Sequence, residues 1–216
     1  SHVSSKNFTQ VASVDPSMMI QGKVAGVSIT NTGAGDPNNQ ASIQVRGVSS
    51  RAAGLGPLIV IDGVPGGNLT NINPNDIESY DVLKDGAASA IYGTRGSNGV
   101  ILVTTKKGAR DGNLHTSYNG SIALDVIKKD LDMLSPDEYR ANRLASGTGY
   151  DLGGSTDWMK EVSRVGVRTV HTLTLSGGNI KSNYRASVDY RDAKGIDKYS
   201  GRQEYGARIS LNHTTN

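Results

Sequence analysis

Asn183-Tyr184-Arg185-Ala186-Ser187-Val188-Asp189-Tyr190-Arg191 alternates without a break. Tyr184, Ala186, Val188 and Tyr190 fall on one side of an extended chain. Asn183, Arg185, Ser187, Asp189 and Arg191 fall on the other, because successive side chains of a strand point to opposite faces. The same period of two runs through Tyr118, Gly120, Ile122, Leu124 and Val126, and again through Tyr205, Ala207, Ile209 and Leu211 against Arg208, Ser210 and Asn212. Residues 169–175 follow it less strictly, with Leu173 and Leu175 opposing Thr172 and Thr174. Two readings fit. A half-buried antiparallel sheet of a soluble protein alternates in this way. So does a transmembrane β-barrel wall, whose outward face is apolar and edged by aromatics and whose lumen face is polar. Tyr184 and Tyr190, bracketing Ala186 and Val188, suit that edging. Four strands cannot close a barrel, since the smallest have about eight, so the second reading makes this chain a piece of a larger one.

The strands begin after a change of character near Gly108. Of nine tyrosines, only Tyr80 and Tyr92 precede it. Lys106-Lys107-Gly108-Ala109-Arg110-Asp111-Gly112 is polar, carries two glycines and marks the boundary. Before it, short β-branched runs at 24–29, 42–45, 58–61 and 99–105 read as strands. Asp15-Pro16 and Asn73-Pro74 each place a capping side chain ahead of a proline at a first helical position. Residues 85–92 form a small helix closed by Gly93. Within the second half, Ser135-Pro136-Asp137-Glu138 is a capping box, and a second helix covers 157–162. The expected class is α+β: a compact domain with a small mixed sheet and short helices, then antiparallel strands. The expected division is an extension at 1–17, the compact domain at 18–108, and strands at 109–216 with a helical insertion near 135–163.

Composition narrows the function. The chain of 216 residues holds 27 glycines and no cysteine, and its net charge is +3. Disulfide frameworks, Cys zinc sites and thiol catalysis are excluded. No uncharged run approaches the 20 or so residues of a membrane-spanning helix. Lys106-Lys107 and Lys128-Lys129 are the only basic doublets, too sparse for a nucleic-acid stripe. His2, His115, His171 and His213 lack partners at metal-ligand spacing, and no pair of carboxylates falls into an acid/base context. Ser97 lacks the spacing of a nucleophile elbow. Gly93, Gly96 and Gly99 follow a helix instead of opening one, so no helix N-terminus faces an anion. Neither an enzyme, a metal site nor a cofactor is expected.

A series of phrases carries more. In order they are Val45-Arg46-Gly47, Pro57-Leu58-Ile59-Val60-Ile61-Asp62-Gly63-Val64-Pro65, Ile72-Asn73-Pro74-Asn75-Asp76-Ile77-Glu78, and Val82-Leu83-Lys84-Asp85. Ala90-Ile91-Tyr92-Gly93-Thr94-Arg95-Gly96-Ser97-Asn98-Gly99-Val100-Ile101 and Thr104-Thr105-Lys106-Lys107-Gly108 complete it. Together they resemble the plug domain of TonB-dependent outer-membrane receptors, specifically the SusC/RagA family of nutrient importers, over about residues 18–108. Asp157-Trp158, Leu175-Ser176-Gly177-Gly178 and Tyr190-Arg191-Asp192-Ala193-Lys194-Gly195 look like that family's first barrel strands.

The resemblance implies a gate inside the lumen of an outer-membrane barrel, for import of oligosaccharides or peptides. It also implies a TonB complex acting through a Ton box not evident here, and a SusD-like surface lipoprotein as partner. Arg46 matches the arginine that, in the wider receptor family, locks the plug to glutamates of the barrel; Arg95 is a second candidate. An exposed arginine at a strand end is the competing reading of Arg46. Polar, Gly-rich loops at 33–39, 49–56 and 66–71 put Asp36, Asn38, Asn39, Arg51 and Asn68 forward as substrate-facing. As a piece of a receptor, the chain is not expected to transport alone. The alternative is a soluble β-rich carbohydrate- or protein-binding module with no gating role.

Overall fold

The computed structural model describes residues 1–8, 15–33, 35–45, 47, 56–84, 86–128, 133–144, 146–147, 150 and 152–215. In chain order the strands are β1 (His2–Ser4), β2 (Val27–Thr30), β3 (Ser42–Val45), β4 (Leu58–Ile61), β5 (Val64–Pro65), β6 (Ile77–Leu83) and β7 (Val100–Thr105). Then follow β8 (His115–Asp125), β9 (Gly166–Gly178), β10 (Ser182–Lys194) and β11 (Gly201–His213). The helices are α1 (Gly86–Tyr92), α2 (Pro136–Tyr139), continued by a π-helical turn, and α3 (Trp158–Val162).

The first half is a five-stranded mixed sheet in the order β1-β6-β7-β4-β5, beside the hairpin β2-β3. β4 and β7 run parallel and the remaining pairs antiparallel. Ile20, Ile29, Val45, Ile77, Val82, Ile101 and Val103 pack around Tyr80 on one face. Val60, Ala88 and Val100 form a smaller cluster under α1. Tyr80 is fully buried, and its hydroxyl donates to the carbonyl of Pro16 at 2.9 Å. Burial, helped by the nearby Asp15 carboxylate, pushes that phenol well above its ordinary pKa. Residues before Met18, expected as an extension, supply the edge strand β1 and the buried Val3.

Local signals explain the turns. Asp15 accepts from the Ser17 amide and Asn73 from the Asn75 amide, as capping residues ahead of proline do. The turns they cap are 3₁₀, not α. Asp62-Gly63 closes the β4–β5 hairpin with both residues at positive φ, 48° and 88°, the two-residue geometry that fits strand twist. Ser135 and Glu138 form the full reciprocal capping box, and Asp157 caps α3.

The second half is an antiparallel sheet in the order β11-β10-β9-β8. Its faces are reversed relative to those of a soluble sheet. Thr172, Thr174, Ser176, Asn183, Ser187, Asp189 and Arg191 are buried, whereas Val188, Ile209 (75% exposed) and Leu211 (78% exposed) stand in the open. A water-soluble sheet buries its apolar face, because burial of apolar area is the main force holding it together. Across the exposed face runs an aromatic row: Tyr118, His171, Tyr190 and Tyr205, with successive ring separations of 6.2, 6.4 and 5.0 Å. The Tyr118 hydroxyl and His171 Nδ1 share a 2.7 Å hydrogen bond.

The upper border of the apolar face is oblique. Leu124, Val167, Lys194 and Gly201 share one register row, apolar on β8 and β9 but not on β10 and β11. On β11 the apolar run stops at Tyr205, level with Gly120 of β8. A sheet whose strands lean roughly 35–45° to the membrane normal requires such a stepped border. No helix among the described residues is long and apolar enough to cross a membrane, which bears only on helices.

Candidate functional site: the plug and wall contact

The polar face of β9 and β10 is covered by the first half of the chain, that of β11 is half-buried, and that of β8 is open at Ser117, Asn119 and Ser121. The densest contact is made by the corner Asn73-Pro74-Asn75-Asp76. The Asp76 carboxylate is 2% exposed and accepts from Arg185 Nη2 at 2.9 Å and from the Ser187 hydroxyl at 2.6 Å. Asn73 and Asn75 both donate side-chain N–H groups to the hydroxyl of the fully buried Thr172, at 2.8 and 3.2 Å. Lys106 ties the corner to the following linker: its amide donates to the Asp76 carbonyl and its ammonium to the Asn75 carbonyl, each at 2.8 Å. Burial lowers the Lys106 pKa, as does the Arg185 charge, against opposing pulls from Asp76 and Glu78. Farther along, Gly108 runs so close to the backbone of Tyr184 that no side chain fits there.

Two further contacts flank the corner. Asp62 accepts from the Thr105 amide and hydroxyl at 2.8 and 2.7 Å and from Arg208 Nη2 at 2.8 Å. Arg191, buried between Asp189 and Glu204 at 3.1 Å from each, reaches the Thr70 carbonyl at 3.4 Å. At the β10–β11 end, Ile196 donates its amide to the Gly35 carbonyl at 2.9 Å, and the Asn38 side chain to the Gly201 carbonyl at 3.4 Å.

A polar-faced sheet holding a small mixed domain by ion pairs, with its apolar face bare, is a barrel wall around a plug. The comparisons agree with that geometry: residues 1–100 match the model of the TonB-dependent Receptor Plug Domain. Residues 1–100 are a TonB-dependent receptor plug domain. The chain is 43% identical over 206 residues to the TonB-dependent receptor SusC of Bacteroides thetaiotaomicron, a match covering 89% of this chain and 20% of that protein. It is 35% identical over 226 residues to TonB-dependent receptor P39 of Formosa agariphila, covering 99% and 22%. Among solved structures, the RagAB peptide importer in its closed-closed state superposes with a TM-score of 0.88 at 27% identity, over the whole of this chain and 29% of that one. The siderophore receptor PirA of Pseudomonas aeruginosa shares the fold, with a TM-score of 0.58 at 17% identity. The chain spans about a fifth of the length of the curated relatives it matches.

The expected site residues fare unequally. Arg46 and Arg51 lie outside the described residues. Arg95 is exposed on the turn Gly93–Gly96, beside Gly66, and makes no ion pair with the wall among the described residues. Asp36, Asn38 and Asn39 share one loop: Asp36 accepts from the Asn38 amide at 2.9 Å, and Asn39 donates to Asn31 at 3.0 Å. Asn68 stands elsewhere, capping a 3₁₀ turn through Thr70 and lining an open groove of about 410 Å³ with Gln40, Ile43 and Ile59. The residues that join plug to wall, Asp76 and Asp62 against Arg185 and Arg208, were not among the expected ones. Their signal was the parity of residues 183–191, which puts Arg185 and Ser187 on the same polar face. Among the described residues no cluster of His, Cys, Asp and Glu could hold a metal ion.

Proposed function

We propose that this chain is the gate, with the first four wall strands, of an outer-membrane importer that takes up oligosaccharides. The observation that carries the reading is the reversed sheet: a polar face on the plug and an apolar face in the open. A plug held by ion pairs and hydrogen bonds in a wet lumen can shift against its wall without exposing a dry core, since exposed polar groups regain water. The remaining wall strands belong to the full receptor, together with a SusD-like lipoprotein at the surface and the TonB complex beneath. Asp36, Asn38, Asn39 and Asn68, with Arg51, are proposed to face the substrate, and Arg46 and Arg95 are retained as lock candidates. Peptide uptake is the second reading, favoured by the superposition on a peptide importer over the whole chain.

The test is uptake by cells carrying the full-length receptor, with and without residues 18–108. Energy-dependent uptake of a defined oligosaccharide should be lost on deletion, and passive entry of large solutes should rise. Uptake of peptides alone moves the substrate to the second reading. A product absent from the outer-membrane fraction contradicts the importer itself.

A further inference from the structure

Resting on that gating reading, we infer that the Asn73–Asp76 corner is the fixed anchor of the plug on this wall, and that the plug parts from it at the opposite end, where residues 35–38 meet residues 196–201. Three observations set the two ends apart. At the corner, Asp76, Asn73, Ser187 and Thr172 are all buried, and the Asp76 carboxylate has Arg185 and Ser187 on it together. Separation there breaks the bonds of Asn73, Asn75, Arg185 and Ser187 together, and those to the Asp76 carboxylate are charge-assisted, roughly twice as strong as neutral ones. At the β10–β11 end, where Gly35 and Pro37 pack closely on Gly195 and Ile196, the hydrogen bonds among the described residues are a backbone one from Ile196 to Gly35 and an exposed one from Asn38 to Gly201. Both can be exchanged for bonds to water with little net change.

The second observation is covalent. Only nine residues, 106–114, separate the end of β7 from the start of β8, a reach of roughly 30 Å when fully extended. The linker is not extended freely. Lys106 is bonded to Asn75 and Asp76, and Gly108 is pressed on the Tyr184 backbone. The corner is therefore stapled to the one part of the plug that is continuous with the wall. Third, the core around Tyr80 is built from residues of the first half, and among the described residues it includes no side chain of the wall. The plug can tilt about the corner with that core intact.

Two disulfides in the full-length receptor, each made in a chain segment free of native cysteine, separate the possibilities. The anchor pair is Asn75→Cys with Thr172→Cys, whose parent side chains touch at 3.2 Å. The end pair is Gly35→Cys with Ile196→Cys; a Cβ on Gly35 lies 3.4 Å from the Ile196 Cβ, close to the spacing that a disulfide spans. Uptake is measured oxidised and after reduction, so that each protein serves as its own folded control. The expected result is that the anchor-pair protein takes up as much oxidised as reduced, whatever its level against the parent receptor, and that the end-pair protein loses uptake when oxidised and regains it on reduction. Loss with the anchor pair, alone or together with the end pair, overturns the anchor; if both pairs block, the gate reading stands and the plug leaves as a unit. If neither bond affects uptake, the plug does not move against this wall and the gate reading fails with it.

Discussion

At the scale of single residues, burial decides which ion pair matters. Asp76–Arg185 and Asp62–Arg208 have nearly equal lengths, 2.9 and 2.8 Å. Asp76 is 2% exposed, whereas Asp62 and Arg208 are 39% and 35% exposed. Arg185→Ala leaves a buried carboxylate short of its partner and should cost about 3–5 kcal/mol of plug docking. Arg208→Ala removes a solvent-screened pair worth about 0–1 kcal/mol. Thermal unfolding of the full receptor, followed by protection of residues 73–76 from hydrogen exchange, measures both. A double-mutant cycle with Asp76→Asn should recover part of the Arg185→Ala loss, because the uncompensated charge is gone. Asp111 gives a pH test outside the wall strands. The hydrogen bond from His115, then that from the Asn113 amide, holds its carboxyl at about 2. A depressed acid pKa adds stability that is present above the ordinary value near 4 and lost as pH falls toward 2. Proton titration of Asp111 by NMR should rise toward the ordinary value in His115→Ala; an unchanged midpoint contradicts the assignment.

At the scale of elements, the faces of the strands carry the meaning. Val188 and Ile209 project from the bare face; Ser187 and Arg208, one residue away in the chain, project onto the plug. Val188→Lys should cost about 2–4 kcal/mol near the bilayer midplane, read as lost outer-membrane assembly, while the same change at Gln203, beyond Tyr205, should be tolerated. Equal tolerance at the two positions contradicts a lipid-facing band. The long wall strands were legible in the sequence because one physical period organises them over ten or more residues. The strand β6 was not. Ile77-Glu78-Ser79-Tyr80-Asp81-Val82-Leu83 mixes charges with apolar residues, and its pairing with both β1 and β7 buries Ser79 beside Tyr80. Tertiary packing overrides local pattern there. The capping signals at Asp15, Asn73 and Ser135 were readable because a cap is a contact within three residues.

At the scale of the molecule, ion pairs across 109 and 146 positions of sequence join plug and wall, and no local pattern announces them. The alternation of residues 183–191 showed that Arg185 and Ser187 share a face. It did not show what that face would meet, nor choose between a soluble sheet and a lipid-facing one. Exposure made that choice, since the apolar side is the open one. The lock expected at Arg46 lies outside the described residues, and the contacts seen have the opposite sense, with aspartates on the plug and arginines on the wall. Two of the 27 glycines serve the same assembly: Gly63 turns the hairpin that aims Asp62 at Arg208, and Gly108 lets the linker lie on β10.

The most direct measurement is a spin-label scan of residues 183–191, one cysteine at a time, in the full-length receptor reconstituted into lipid bilayers. Collision with oxygen, which concentrates in the bilayer, should peak at Tyr184, Ala186, Val188 and Tyr190 and fall at Arg185, Ser187 and Asp189. A scan without that period of two, or with its phase inverted so that Ser187 meets lipid and Val188 does not, contradicts a barrel wall closed around this plug.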